Sequence, residues 1–183
     1  MVAYVGSVIW TLGRRRLGLI SIIAILLLSA VAIAGTMNVP AGEQAPSLVH
    51  WSAAELTSAW LVGTVTTAML LGHWYLTATA MPLAPLQRLN QFLLSAVVLR
   101  MLVAGAGLWT CPVSLTDGTH TIWLAIRWLA GLAGPLAMAL LVPRILKYRN
   151  TQSATGVLFA GVILTYMGEM AATLLSSEVG WPL

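Results

Sequence analysis

Four ionisable residues lie inside long apolar stretches of this 183-residue chain: His73, Arg100, Arg127 and Glu169. A charge near the centre of a membrane helix costs about 2.5–3.5 kcal/mol on insertion scales, so such side chains turn toward protein or water. Imidazole, guanidinium and carboxylate groups can form ion pairs, bind a polar head group or carry protons. These four residues are therefore the candidates for chemistry.

Arg127 and Glu169 are predicted to form a buried ion pair. At 1.5 Å per residue they lie roughly 8 and 9 Å inside the same ends of two consecutive apolar segments, which run antiparallel. The pair can serve only to dock the two helices, or it can take part in a ligand or proton path. The sequence leaves both interpretations open.

Arg100 lies near the centre of its segment, roughly 13 Å from the end and too deep for its side chain to reach water comfortably. Small residues on its face, with Ala96, Ala104 and Gly107 among them, allow close helix approach. Its available partners are Glu169, Tyr166 and carbonyls freed by Pro135. Two arginines against one glutamate predict a structural network, a site for an anionic or carbonyl-bearing ligand, or a proton path.

His73, Trp74, Tyr75 and Arg100 are the candidate ligand-binding residues. His73 shares a helical stripe with Gly63, Thr66, Leu70 and Thr77, which we expect to face protein or a bound molecule and not lipid. No cofactor is identified, but the imidazole suits contact with a quinone or lipid better than axial ligation of a macrocycle. A bis-histidine haem is excluded within the chain, because the other two histidines lie outside the apolar segments.

Other catalytic chemistry lacks support in the sequence. His50, Cys111 and His120 are scattered without metal-ligand spacing, so no metal site is predicted. A single cysteine excludes an internal disulfide, and there is no phosphate-binding loop and no nucleophile elbow. We therefore expect no enzyme activity from this chain on its own.

The composition identifies an integral membrane protein. Hydrophobic residues make up 59% of the chain and charged residues 8%, with a mean hydropathy of +0.90, whereas soluble domains are about 25% charged. A membrane helix needs about 20 apolar residues. Five segments satisfy this length and predict an all-α, polytopic bundle with spans at about 17–35, 56–80, 89–109, 122–142 and 155–175. Residues 1–183 are predicted to form a single membrane domain, with residues 1–13 in the interface.

Helix signals refine this prediction at two places. Ser52 and Glu55 have the spacing of a capping box, which predicts that the second helix begins there and that Glu55 is a cap. Gly134 and Pro135, inside the fourth segment, predict a kink near its middle.

The basic residues predict the orientation. Arg14 to Arg16, Arg88, and Arg144 to Arg149 all flank the same side of a five-helix topology, which places the N-terminus in the cytoplasm and the C-terminus outside. The net charge of +4 thus reflects topology, and no nucleic-acid partner is expected. The predicted location is a cell membrane crossed several times, the bacterial inner membrane or its equivalent.

Two functions fit these features. The first is a small integral-membrane subunit of a larger membrane assembly in electron transfer or energy transduction, which packs against partner subunits and helps to shape a quinone, lipid or cofactor pocket. The alternative is a small transporter or proton-conducting protein that uses Arg100, Arg127 and Glu169.

Overall fold

The computed structural model describes residues 15–36, 48–78, 81–110 and 118–182, and every regular element in these ranges is helical. The all-α prediction is confirmed for this part of the chain. The helices are α1 (Arg15–Thr36), α2 (Leu48–Thr77), α3 (Ala84–Thr110), α4 (Gly118–Leu146) and α5 (Thr151–Val179). The predicted interfacial segment at residues 1–13 lies outside the described residues.

Four of these helices, α2 to α5, are long and apolar enough to cross a membrane. A fifth, shorter apolar helix runs over Arg16–Ala32 within α1. The prediction of a polytopic helical protein is therefore confirmed for four candidate spans. α4 and α5 extend beyond the predicted spans at both ends, because hydropathy marks only the apolar part of a helix and helical hydrogen bonding continues into its polar turns.

The predicted capping box is wrong, because α2 begins at Leu48 and not near Ser52. Ser52 Oγ instead donates a hydrogen bond to the Val49 carbonyl 3.0 Å away, a contact made inside the helix. Glu55 lies in the second turn of α2, where its carboxylate is exposed and caps nothing.

The described helices belong to two compact units, α1 in residues 1–39 and α2 to α5 in residues 40–183. In the second unit α2 packs against α3 and α5, and α4 packs against the same two helices, so the four helices close into a bundle. Short connections at residues 78–83 and 147–150 make α2 and α3, and α4 and α5, antiparallel neighbours. Two ends of the bundle are named below: the Leu48 end, where α2 begins and α5 finishes, and the Thr77 end.

The apolar core fills the half of the bundle nearer the Thr77 end. On α2 the buried residues recur every three or four positions from Ala54 to Tyr75, the spacing of one helix face. Fully buried aliphatic side chains from all four helices meet there: Leu61, Val65, Leu86, Leu93, Val97, Val142, Leu146 and Leu158.

At Gly134 and Pro135, where the sequence predicts a kink, the structure has a π-helical segment over Ile126–Ala133. Proline lacks an N–H group, so the carbonyl four residues earlier loses its α-helical partner. Just before it, the Gly134 N–H bonds to the Leu129 carbonyl, five residues back, which is the π pattern. Each π turn contains about one residue more than an α turn, which changes the direction of the side chains in this part of α4, including that of Arg127.

A second proline in α4, Pro143, is compensated by a side chain from α3. Pro143 cannot donate to the Ala139 carbonyl, and Asn90 Nδ2 donates to that carbonyl at 2.9 Å instead. Both Asn90 and Ala139 are buried. The bond therefore joins α3 to α4 and satisfies an acceptor that the proline leaves without a partner.

Two helices approach each other closely at Gly131 of α4 and Gly168 of α5. A methyl group built on Gly168 would lie 2.0 Å from Cα of Gly131, and one on Gly131 would lie 2.4 Å from Cα of Gly168. No side chain fits between the two backbones. Small residues of this kind let membrane helices pack at short range.

Gly168→Ala should destabilise the bundle, because the added methyl group must push α4 and α5 apart. Overpacking costs typically about 1–3 kcal/mol, and contact with backbone places this site at the upper end. The matched control is Gly156→Ala in the same helix, where an added methyl group meets nothing within 4 Å. Unfolding in a detergent series measures both, and equal stability of the two variants would contradict the close crossing.

Asn90→Leu should destabilise the protein by about 1–3 kcal/mol, because the buried Ala139 carbonyl loses its donor. In a Pro143→Ala background the helix itself supplies an N–H to that carbonyl, so the same change should cost clearly less. A double-mutant cycle of unfolding free energies measures the coupling. Additive effects would show that Asn90 does not compensate for Pro143.

Candidate functional site

Glu169 of α5 is held by side chains from the three other helices of the bundle. Its Oε1 accepts hydrogen bonds from Arg127 Nη1 at 2.7 Å and Arg100 Nε at 3.3 Å. Its Oε2 accepts from Arg100 Nη2 at 3.1 Å and from Ser58 Oγ at 2.7 Å. These four residues are called the Glu169 cluster.

The cluster forms at one level of the bundle. Ser58, Arg100 and Glu169 each lie ten residues from the Leu48 end of their helices, and Arg127 lies nine, which places all four about 15 Å from that end. Each helix is about 40–45 Å long on the same basis, so the cluster is about a third of the way along the bundle.

Local sequence explains why these long side chains fit there. Ala96 and Ala104, one turn to either side of Arg100, are buried and leave room for the guanidinium. On the other side, the Gly131–Gly168 crossing brings α4 and α5 together next to Glu169 and one turn from Arg127. Small residues therefore create the space and the short helix separation that the ion pairs need.

The cluster is buried and carries a surplus of positive charge. Relative exposures are 4% for Arg100, 1% for Arg127 and 13% for Glu169. Two guanidinium groups face one carboxylate, which leaves one net positive charge. Arg127 Nε and Nη2 are buried with no hydrogen-bond partner among the described residues. Buried polar groups are ordinarily paired, so this guanidinium still has capacity to bind an acceptor.

A cavity of about 260 Å³ connects the cluster with the Leu48 end of the bundle, between α2 and α5. Arg100 and Glu169 lie at its inner end. Ser58 of the cluster also lines it, and its other polar lining comes from residues nearer the Leu48 end: Trp51, Glu55, Thr173, Ser176 and Ser177. We call this space the cluster cavity.

The lining of the cluster cavity is rich in hydrogen-bond acceptors. Thr173 Oγ1 donates to the Glu169 carbonyl at 2.9 Å, and Ser177 Oγ donates to the Leu174 carbonyl at 2.7 Å, so both oxygens keep lone pairs for a ligand. Trp51 instead supplies a hydrogen-bond donor, because its Nε1 is buried and has no partner among the described residues. The cavity can therefore bind a ligand that has both acceptors and donors.

The carboxylate of Glu169 is a fixed counter-charge in this geometry. It accepts hydrogen bonds from two guanidinium groups and a hydroxyl. Loss of its charge would leave two arginine charges facing each other in a low-dielectric site, where their repulsion is strong.

The structure brings together the two residues predicted as an ion pair, Arg127 and Glu169, and adds Arg100 to the same carboxylate. It does not bring Arg100 together with the other candidate ligand-binding residues. His73 lies fifteen residues along α2 from Ser58, which corresponds to about 22 Å along the bundle. One head group cannot contact both places.

His73, Trp74 and Tyr75 face different directions near the Thr77 end. Tyr75 is 2% exposed and its hydroxyl donates to the Pro82 carbonyl. Trp74 is 61% exposed, and His73 is exposed on the surface of the bundle, as Gly63 is on the same stripe. This stripe lies away from the buried face of α2, so any protein that covers it is not supplied by α3, α4 or α5.

The residues considered for a metal do not assemble a site in the described part of the chain. His120 Nε2 lies 2.9 Å from Glu178 Oε2. The ring centroid of His50 lies 5.9 Å from that of Trp181. Cys111 lies outside the described residues.

Six polar lining residues of the cavity were not predicted as site residues: Trp51, Glu55, Ser58, Thr173, Ser176 and Ser177. One signal was present in the sequence, because Thr173, Ser176 and Ser177 follow Glu169 at positions i+4, i+7 and i+8, which share a helix face. Ser58 gave no such signal, since a single serine in an apolar helix commonly bonds to its own backbone.

Glu169→Gln should destabilise the bundle by about 3–5 kcal/mol, because it removes the carboxylate charge that faces two buried guanidinium groups. Arg127→Met should cost less, since Arg100 and Glu169 remain as a neutral pair. Unfolding free energies of both variants measure the difference. Glu178→Gln is the control, because its bridge to His120 is half exposed and such bridges are worth about 0–1 kcal/mol. A larger loss in Arg127→Met than in Glu169→Gln would contradict the surplus of positive charge.

Comparison of the chain with protein-family models, with curated proteins and with solved structures gives no match.

Proposed function

We propose that the protein is a small integral-membrane subunit of a larger membrane assembly, in electron transfer or energy transduction, and that its cluster cavity holds the polar head group of a quinone or lipid. The observation that carries the proposal is the buried surplus of guanidinium charge in the cluster at the inner end of the cavity. A ligand with oxygen acceptors would compensate that charge.

The cavity has the features of a ligand site. It reaches buried charged side chains, its wall combines apolar surface with hydroxyl and carboxylate groups, and an indole donor in that wall lacks a partner among the described residues. Ligand sites commonly combine an apolar surround with a few convergent polar groups. Around this cavity the bundle surface is apolar, so an amphiphilic molecule could place its head group inside and its chain against the helices.

The outward face of α2 supports the assembly part of the proposal. His73, Gly63 and Thr77 lie exposed on this face. An imidazole in hydrocarbon would leave its ring nitrogens unsatisfied, at several kcal/mol, and small residues favour close helix packing. A helix of a partner subunit would satisfy both requirements.

The finer topology is part of the same proposal. We take α1 as the fifth span, with the N-terminus in the cytoplasm, the C-terminus outside, and the bacterial inner membrane or its equivalent as the location. Arg88, Arg144, Lys147 and Arg149 are exposed near the Thr77 end of the bundle, and cytoplasmic loops are enriched in basic residues. This distribution supports a cytoplasmic Thr77 end.

Transport or proton conduction through the Glu169 cluster is the weaker candidate. The cavity approaches the cluster from the Leu48 end, while the apolar core occupies the bundle toward the Thr77 end. Loss of the charge on Glu169 would also leave two arginine charges facing each other, as argued above. Both observations favour binding over movement of an ion across the bundle.

The assembly is tested by purifying the full chain in a mild detergent, with determination of particle mass, partners and extractable lipids and quinones. We expect a particle larger than one copy, with partner chains present. His73→Leu should lose partners while membrane insertion is retained, and Phe159→Leu, an exposed residue on α5, is the control.

A single-copy particle with no retained lipid or quinone would contradict the proposed function. So would a His73→Leu variant that keeps the same partners and the same extractable molecules as the wild type.

A further inference from the structure

We propose that the cluster cavity binds a zwitterionic phosphate–ammonium head group, with the phosphate toward Arg100 and the ammonium toward Glu55. This inference rests on the proposed function in one respect only, the identification of the cavity as a ligand pocket. The inference adds two points to the proposed function. It names the chemistry of the ligand, and it assigns Glu55, which the sequence suggested was a helix cap, to the binding of a cation.

The cavity has opposite charges at its two ends. Arg100 and Glu169 line the inner end, and Arg127 bonds to Glu169 from behind the wall, so the largely buried cluster carries one net positive charge. Toward the opening, Glu55 contributes a carboxylate that is exposed and has no hydrogen-bond or ion-pair partner among the described residues. The electrostatic field along the cavity therefore runs from positive inside to negative outside.

The distance between these charges suits a short zwitterion. Glu55 lies three residues before Ser58 on α2, so it is about 4.5 Å nearer the Leu48 end than the cluster. A phosphate joined to an ammonium through two carbons can span such a separation. In an α-amino acid the two charges are attached to the same carbon, which brings them closer together.

Uncharged groups in the wall match the same ligand. Trp51, Glu55 and Ser58 are at positions i, i+4 and i+7, so they share a face of α2. The hydroxyl oxygens of Thr173 and Ser177 can accept bonds from an ammonium group.

Other ligands of the proposed pocket fit less well. A quinone head group offers carbonyl acceptors, which Arg100 and Trp51 could satisfy, but it leaves the Glu55 carboxylate without a cation. A purely anionic head group would be repelled by Glu55 as it entered. The cavity volume of about 260 Å³, roughly eight to nine water volumes, holds a head group and excludes long acyl chains.

The inference is tested on the full-length protein with its copurifying partners, delipidated in detergent and examined by native mass spectrometry. The probes are short-chain phosphatidylethanolamine, phosphatidylglycerol, ubiquinone with a short tail, and free phosphoethanolamine. We expect phosphatidylethanolamine to bind at least tenfold more tightly than phosphatidylglycerol. Glu55→Gln should remove this preference, and Glu178→Gln, a matched change of an exposed carboxylate at the same end, should keep it.

Competition identifies the source of the head group. If free phosphoethanolamine displaces the lipid at comparable concentration, the result supports a soluble zwitterion as the ligand. If it does not displace the lipid, the result supports a lipid head group as the ligand. Equal binding of the two lipids, or an unchanged preference in Glu55→Gln, overturns the inference, and so does preferential binding of the quinone. Because Glu55 is exposed, this variant should fold, and its melting temperature and partners should match those of the wild type. Partner loss in His73→Leu, measured separately, tests the assembly independently.

Discussion

The need to neutralise one carboxylate inside the bundle governs the arrangement of its four helices. Glu169 of α5 receives hydrogen bonds from α2, α3 and α4 at a single level. In a low-dielectric interior such bonds are strong, and a missing partner is costly. A shift of any helix by one turn would move its donor about 5.4 Å away from the carboxylate. The cluster therefore sets the register of the whole bundle, a role in specificity that buried ion pairs can fill even where their net stabilisation is small.

The cluster also divides the bundle into two unlike halves. Toward the Thr77 end the interior is filled by aliphatic side chains, while toward the Leu48 end a smaller apolar cluster around Leu175 accompanies a cavity whose wall carries hydroxyl and carboxylate groups. Both prolines of α4 lie next to polar groups of the interior. Pro135 is accompanied by the π-helical turns that carry Arg127, and Pro143 frees a carbonyl that Asn90 satisfies. Helix irregularity is thus coupled to the placement of polar groups.

How much the sequence could predict depended on the physical signal. Composition and segment length predicted helices, and depth in consecutive spans predicted the contact of Arg127 with Glu169. Arg100 could be assigned to the same acceptor, because the chain has no other carboxylate at that depth. The start of α2 was missed, since residues 48–55 are less apolar than the rest of the helix and Ser52 resembles a cap. The Gly131–Gly168 crossing requires the relative rotation of two helices, which hydropathy does not contain.

The direction in which His73 faces could not be predicted from the sequence, for a different reason. The stripe of glycine and threonine around it resembles a packing face, and the buried face of α2 contains comparable small residues, Ala54, Ala68 and Gly72. Residue size alone therefore could not decide which face meets α3 and α5. The packing of Gly72 against Thr155 settles the rotation of α2 and directs the neighbouring His73 outward.

The second arginine of the cluster is the feature that a purely structural role does not explain. Arg100 alone would neutralise Glu169 and still connect α3 to α5. Arg127 adds a nearly fully buried guanidinium whose Nε and Nη2 have no hydrogen-bond partner among the described residues, and burying such a charge is unfavourable. A further negative charge near the cluster would offset this cost. Glu55 is the one unpaired carboxylate among the described residues of the cavity, but it lies about one helix turn from the cluster, toward the Leu48 end. A ligand that places an anionic group beside Arg100 and a cationic group beside Glu55 would offset the surplus charge of the cluster and pair the Glu55 carboxylate, which is why the charge distribution of the cavity argues for a dipolar occupant.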